Sequence, residues 1–207
     1  MADTAKWERK ADFVVHVLGL AFAVAACISM AVLSFPRGND VEVASVAIYG
    51  AGLLGMLGCS ALYHMAWQHR WTEAFCRLDR AAIFVMIAAT YTPFTLVSMS
   101  GRTGISLCVF VWVVAVAGAI LQLVAPASLR RIGVAMYVLL GWSAVVALGP
   151  LFRALSVPGL VLLGTGGGLY TLGVPVYLSR LPGRRAIWHA FVLAAAACHF
   201  SAVLTVI

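Results

Sequence analysis

The chain alternates long apolar stretches with short polar connections. Runs of roughly 20 apolar residues can cross a hydrocarbon core about 30 Å thick, because each helical residue advances about 1.5 Å. Seven runs of this kind predict membrane-spanning helices at Phe13–Phe35, Val43–His64, Ala81–Ser98, Gly104–Val124, Ile132–Leu148, Val157–Leu178 and Ala186–Ile207. Pro, Gly, Ser and charged residues cluster in the breaks, as in turns. We expect an all-α, seven-transmembrane helix bundle that forms a single integral membrane domain over residues 1–207.

Composition agrees with a lipid bilayer as the surroundings of the chain. Hydrophobic residues make up 63% of the sequence and charged residues 10%, and the mean hydropathy is +1.02. An ordinary globular domain has about 25% charged residues. An integral membrane protein is therefore expected.

The distribution of basic residues predicts the orientation of the bundle. Of the 14 Lys and Arg residues, 11 fall in the N-terminal tail and in the second, fourth and sixth connections. The positive-inside rule then places the N-terminus in the cytoplasm and the C-terminus outside. The net charge of +7 is divided among these segments and forms no aromatic-interleaved basic face, so we expect no nucleic-acid partner.

Four polar residues are expected at one level near the cytoplasmic side. His64 ends the second span, and Ser60 lies one turn deeper on the same helical face. Asp79 immediately precedes the third predicted span, and His189 falls in the first turn of the seventh. Groups that can bind a metal or transfer a proton therefore meet from three helices. Ionisable groups in a bilayer are costly and usually mark a site.

Each of these residues also has an ordinary structural interpretation. A histidine at a helix end is often interfacial, Asp79 could cap a helix or complement its dipole, and Ser60 could hydrogen-bond its own helix. Their coincidence at one level favours a site, because Asp and Glu are otherwise confined to the tail and the loops.

Several stretches resemble the bacterial hemolysin III family, within the larger progestin and adiponectin receptor group and its ceramidase relatives. They are "CSALYH", "RLDRAAIF", "ATYTPF" and "AIWHAFVLAAAACHF", with a weaker match in "WERKADFVVHVLG". In the weaker match, Glu8, Asp12 and His16 lie near the family's Glu, Asn and His positions. The resemblance covers essentially the whole chain and implies a bacterial inner (plasma) membrane location.

The resemblance implies a zinc ion bound by the histidine of an S-x-x-x-H motif and by two histidines of an H-x-x-x-H motif on the last helix. The first corresponds to His64 and the last to His189, but the position four residues before His189 is Arg185. An arginine is always charged and offers no lone pair to a metal. The three-histidine set is therefore incomplete.

Three arrangements could repair this set. His64, His189 and the carboxylate of Asp79 could bind zinc together with a water. Alternatively, Arg185 could replace the positive charge of the metal and pair with Asp79, leaving a metal-free pseudo-site. In the third arrangement another histidine takes the missing place; His16 starts the first span at the right level, whereas His199 lies roughly 15 Å along the helix from His189.

With zinc bound, the resemblance implies hydrolysis of a lipid-like acyl amide, as the ceramidase relatives suggest. Asp79 would orient the attacking water or take its proton, and Ser60 would hydrogen-bond a neighbouring group or the developing oxyanion. The alternatives are a non-catalytic membrane protein with a lipid-homeostasis or receptor role, and an oligomeric pore-forming hemolysin. A pore would need a polar lining through the whole bilayer, but the outer halves of the spans are almost wholly apolar.

Glycines predict one feature of the helix packing. Gly164 and Gly168 in the sixth span have the G-x-x-x-G spacing that allows close approach of a neighbouring helix. We therefore predict that this pair faces a packed helix.

Overall fold

The described residues form seven apolar helical spans. The computed structural model describes residues 2–36, 38–65, 70–99, 101–124 and 130–207, with side chains over the same ranges except 2–6 and 130–131. The α-helices are α1 (Ala2–Ser34), α2 (Asp40–Met65), α3 (Thr72–Pro93), α4 (Gly101–Val124), α5 (Arg130–Gly141), α6 (Leu148–Ala154), α7 (Val157–Leu178) and α8 (Arg184–Val203). A π-helical segment, Phe94–Met99, extends α3, and a 3-10 segment, Trp142–Ala147, joins α5 to α6. Seven helical segments are long and apolar enough to cross a membrane, so the predicted seven-helix fold is confirmed.

The third span begins earlier than its hydropathy suggests. Helix α3 starts at Thr72 rather than at Ala81, because the charged residues before Ala81 are good helix formers and support one another. Arg77 and Glu73, one turn apart, form an ion pair of 3.3 Å. Asp79 therefore lies about two turns inside α3, and the interpretation of Asp79 as a helix cap is wrong.

The fifth span continues beyond its predicted end. Residues Leu148–Ala154 are helical, so the connection expected after Leu148 is wrong. Pro150 interrupts the hydrophobic pattern there, but it lies in the first turn of α6. The N–H groups of a first turn have no partner within the helix, so a proline in this turn removes no hydrogen bond.

Helices α7 and α8 pack through glycines other than the predicted pair. A methyl group at Gly166 would collide with the ring of His199, and one at Gly173 would lie 2.9 Å from the ring of Trp188. Open space surrounds the corresponding positions of Gly164 and Gly168. The predicted contact through Gly164 and Gly168 is therefore wrong. Helix α7 contacts α8 through the face that carries Gly166 and Gly173.

The main core joins α1, α2, α3 and α8, the helices that carry the polar groups described below. Tyr49 and Leu53 of α2 are fully buried in it, together with Met30 of α1 and Val203 of α8. Large apolar side chains elsewhere face outward; Val146, for example, is 90% exposed. An apolar exterior of this kind fits a lipid environment.

The glycine register gives a direct prediction for stability. Gly166→Ala should destabilise the protein by about 1–3 kcal/mol, because the added methyl group overpacks the contact with α8. Gly164→Ala, on the same helix with open space around it, should leave stability unchanged or raise it by up to about 1 kcal/mol through helix propensity. Unfolding of the two variants in detergent micelles measures the difference, and equal stabilities would contradict the assigned interface.

Candidate metal centre

Three helices bring one aspartate and three histidines together. Asp12 and His16 come from α1, His64 from the end of α2 and His189 from the second turn of α8. One potential ligand atom from each of the four lies within 4.8 Å of the others. We refer to these four residues as the histidine cluster.

The spacing along α1 turns several polar groups toward the other helices. Glu8, Asp12 and His16 follow one another at four-residue intervals, which places them on one helical face. Nδ1 of His16 donates to the backbone carbonyl of Asp12 over 2.7 Å. This bond fixes the ring and directs Nε2 of His16 away from its own backbone.

The carboxylate of Asp12 joins the other two histidines. Nδ1 of His189 donates to Oδ1 of Asp12 over 2.7 Å, and Nδ1 of His64 lies 3.1 Å from Oδ2. Each carboxylate oxygen thus holds a histidine from a different helix. The three side chains are 11–15% exposed, so water screens these contacts weakly.

The three imidazole rings pack against one another. Their centroids are 4.9 Å apart for His16 and His64, 4.3 Å for His16 and His189, and 4.4 Å for His64 and His189. Imidazole nitrogens and carboxylate oxygens are ligands of Zn²⁺, and three protein ligands with an open fourth position are typical of catalytic zinc. A carboxylate that holds Nδ1 of a histidine also leaves Nε2 free for a metal. The donor set therefore fits zinc.

Asp79 and Ser60 lie beside the cluster. The carboxylate of Asp79 is hydrogen-bonded to the hydroxyl of Ser60 and lies near His64. Ser60 Oγ also lies 3.3 Å from Nε2 of His16. Asp79 is not one of the four converging residues, so its carboxylate is available to a group bound in front of the cluster.

Arg185 does not enter the cluster. It is exposed, lines the cavity described next and lies near Tyr63. Within the described ranges no ion pair joins Arg185 to Asp79. The residues that join His64 and His189 in the cluster are Asp12 and His16, both from α1.

A cavity of about 820 Å³ extends from the histidine cluster into the bundle. His16, His64, His189, Ser60 and Asp79 line one part of it. The lining further along is mainly apolar and aromatic and reaches Trp142 and His199.

Part of the cavity lining is exposed on the outside of the bundle. Trp142, Tyr177 and Leu178 line the cavity, are exposed, and lie on the fifth and sixth spans. The indole N–H of Trp142 donates to the hydroxyl of Thr171 over 2.9 Å between these spans.

Glu8 fixes the start of α8, which carries His189. The backbone N–H of Gly183 donates to Oε1 of Glu8 over 2.7 Å. Gly183 has a φ of 74°, in the left-handed region that favours glycine, and a methyl group there would lie 3.1 Å from the ring of Trp7. The first helix thus holds both the cluster and the turn that leads into the last helix.

Sequence reasoning did not identify Asp12 as part of the site. It ranked His16 only as a replacement ligand and gave Glu8 no role. The available signal was the four-residue spacing of Glu8, Asp12 and His16 within an apolar span. That spacing predicts a polar face that needs a buried partner.

Comparisons with known proteins support the family resemblance of the sequence. The family model described as "Haemolysin-III related" matches residues 9–200. The chain is similar to Hemolysin-3 of Bacillus cereus, with 32% identity over 95% of the chain and 90% of the relative. It is also similar to the Hemolysin-3 homolog of Bacillus subtilis, with 31% identity over 95% and 93%, and to human monocyte to macrophage differentiation factor, with 29% identity over 87% and 77%.

The contact between Glu8 and Gly183 gives a local prediction. Glu8→Ala should speed hydrogen exchange at the amide of Gly183 by about 10-fold or more, because a hydrogen bond to a charged group contributes about 1.5–3 kcal/mol. Glu8→Gln keeps an acceptor oxygen and should exchange at a rate closer to that of the parent protein. Hydrogen–deuterium exchange with mass spectrometry measures both variants. An unchanged exchange rate at Gly183 in Glu8→Ala would contradict the role of Glu8 in holding this turn.

Proposed function

Because the chain belongs to the haemolysin-III related family, we propose that it is a zinc-dependent membrane hydrolase of a lipid-like acyl amide. The observation that carries the proposal is the histidine cluster, whose three histidines line the same cavity as Asp79. We further propose that it lies in a bacterial inner membrane, with the N-terminus in the cytoplasm and the C-terminus outside.

His16, His64 and His189 would hold the metal, and Asp12 would orient His64 and His189 through their Nδ1 atoms. When bound in such a site, zinc acts as a Lewis acid and lowers the pKa of a coordinated water to about 7. Asp12 also supplies negative charge beside the imidazoles, which favours a divalent cation there. His16, from α1, supplies the histidine that the family motif lacks at Arg185.

Asp79 would act as the general base. Its carboxylate lies beside the cluster, and the Ser60 hydroxyl restrains it. In amide hydrolysis the oxygen of water forms a bond to the carbonyl carbon, the C–N bond breaks, and the amine leaves with a proton. Asp79 would accept the proton from the water and return it to the leaving amine, the exchange that general acid–base catalysis requires.

The cavity supports a lipid-like substrate. Its volume of about 820 Å³ lies within the range of roughly 300–1,000 Å³ typical of small-molecule sites. The apolar wall can take an acyl chain, and part of the lining on the fifth and sixth spans is exposed. The amide carbonyl would then lie at the polar end, between Asp79 and the histidine cluster.

The position of Arg185 favours metal binding over the metal-free pseudo-site. Its side chain is exposed at the cavity and, within the described part of the chain, makes no ion pair with Asp79. A guanidinium that substituted for the metal would need to contact the acidic groups of the site. Three imidazoles and one carboxylate also suit a metal ion better than an arginine, because imidazole nitrogens and carboxylate oxygens are ligands of zinc.

Metal content gives the first test of this function. Protein purified after zinc-replete expression should contain about one equivalent of zinc by elemental analysis, because the histidine cluster forms one metal site. His16→Ala, His64→Ala and His189→Ala should each fall below about a tenth of an equivalent, because the remaining donors are too few for tight binding.

His199→Ala is the matched control. His199 lines the same cavity but hydrogen-bonds the backbone carbonyl of Leu163 and lies outside the cluster. This variant should keep its zinc. A parent protein with less than a tenth of an equivalent, or full zinc in His16→Ala, would contradict the ligand set proposed for the chain.

Turnover gives the second test. Asp79→Asn should retain zinc but lower palmitate release from N-palmitoyl amides by about 10²–10⁴-fold, the typical contribution of a general base. Ser60→Ala should have a smaller effect, since Ser60 only restrains Asp79. If Asp79→Asn kept the activity of the parent protein, Asp79 would not be the general base. If this variant lost its zinc, Asp79 would instead be a zinc ligand.

A further inference from the structure

Two arginines of the cavity have no role in the proposed reaction. Arg80 follows Asp79 on α3, and its Nε atom is buried without a hydrogen-bond partner among the described residues. Arg185 begins α8 with Arg184 and lines the same cavity. A guanidinium keeps its charge in proteins, so it cannot reduce the cost of burial by losing a proton.

The acidic groups of the cavity do not balance these charges. Its described lining contains three arginines, Arg80, Arg184 and Arg185, and one acidic residue, Asp79. Asp79 is already hydrogen-bonded to Ser60. Arg184 donates to the backbone carbonyl of Ser179 over 2.5 Å, whereas Nε of Arg80 has no hydrogen-bond partner among the described residues. Nε of Arg80 is thus an unused donor, and the exposed guanidinium of Arg185 is accessible to a ligand.

Both arginines lie near the acidic and tyrosine groups at the polar end of the cavity. The charge of Arg80 acts on Asp79 and on Tyr137, whose hydroxyl donates to the backbone carbonyl of Arg80 over 3.1 Å. The charge of Arg185 acts on Tyr63, which also lies near Asp79. An anion held by the two arginines would therefore be adjacent to the proposed reaction centre and away from the apolar wall.

We propose that the cavity selects acyl amides whose head group carries an oxyanion, a carboxylate or a phosphate, bound by Arg80 and Arg185. The proposal rests on the hydrolase function above and names its substrate class. The acyl chain occupies the apolar wall, the amide faces Asp79, and the oxyanion forms charge-assisted hydrogen bonds with the two guanidinium groups. A neutral amide of the same chain length leaves both arginines unpaired.

Three ligands with the same acyl chain test the proposal: N-palmitoylglycine, N-palmitoyl-O-phosphoethanolamine and the neutral N-palmitoylethanolamine. Binding to the full-length protein in detergent is measured by thermal shift and titration, and palmitate release is measured separately. At least one anionic ligand should bind about 10-fold or more tightly than the neutral one. Comparison of the two anionic ligands distinguishes a carboxylate from a phosphate head group.

Arginine variants locate the selectivity. Arg80→Gln and Arg185→Gln should each reduce the preference for the anionic ligand by about 10-fold, while binding of the neutral ligand changes little. If Arg80→Gln does not fold, Arg80→Lys replaces it in the binding measurements, because this variant keeps the positive charge. Arg153→Gln is the matched control, since it removes an exposed arginine of α6 that does not line the cavity and should keep the preference.

The outcomes separate the two proposals. Equal binding of all three ligands, no binding of any, or the same loss of preference in Arg153→Gln overturns the anionic head group. Preferential binding of the anionic ligands without palmitate release supports the head-group site and overturns the hydrolase function. Faster release of palmitate from the anionic ligand supports both.

Discussion

The site depends on the carboxylate of Asp12, which holds histidines from two other helices. Its two oxygens contact Nδ1 of His189 at 2.7 Å and Nδ1 of His64 at 3.1 Å. These contacts bring α1, α2 and α8 together at one level and orient the rings so that their Nε2 atoms are free. Without this carboxylate, the Nδ1–H groups of His64 and His189 would lose the acceptor that they share.

The first helix extends this arrangement in both directions. One turn before Asp12, Glu8 binds the turn at Gly183 and sets where α8 begins; one turn after it, His16 adds the third imidazole. A single face of α1 therefore supplies two of the four residues of the cluster. Arg185 of α8 lies outside the cluster and lines the cavity.

The fold was largely predictable from the sequence, because a lipid-spanning helix needs a long apolar run. The beginning of α3 was not, since Glu73, Arg77 and Arg80 count as polar although they continue the helix. His64 and His189 were predictable from their motifs. Asp12 was not identified, because it directly precedes the predicted first span and is indistinguishable from a tail residue until its partners on α2 and α8 are known. The prediction of the glycine interface was wrong for a similar reason. Spacing shows that a helix has a face of small residues, but the contacts of Gly166 and Gly173 decide which face meets α8.

In the zinc-bound protein, histidines from three helices would hold one metal ion, with His16 in place of the histidine that the family motif has at Arg185. X-ray absorption at the zinc edge of the purified protein measures this ligand set. It should give nitrogen and oxygen ligands at about 2.0–2.1 Å, with the multiple-scattering signature of three imidazoles. A sulfur ligand near 2.3 Å, or the signature of fewer than three imidazoles, would contradict the ligand set.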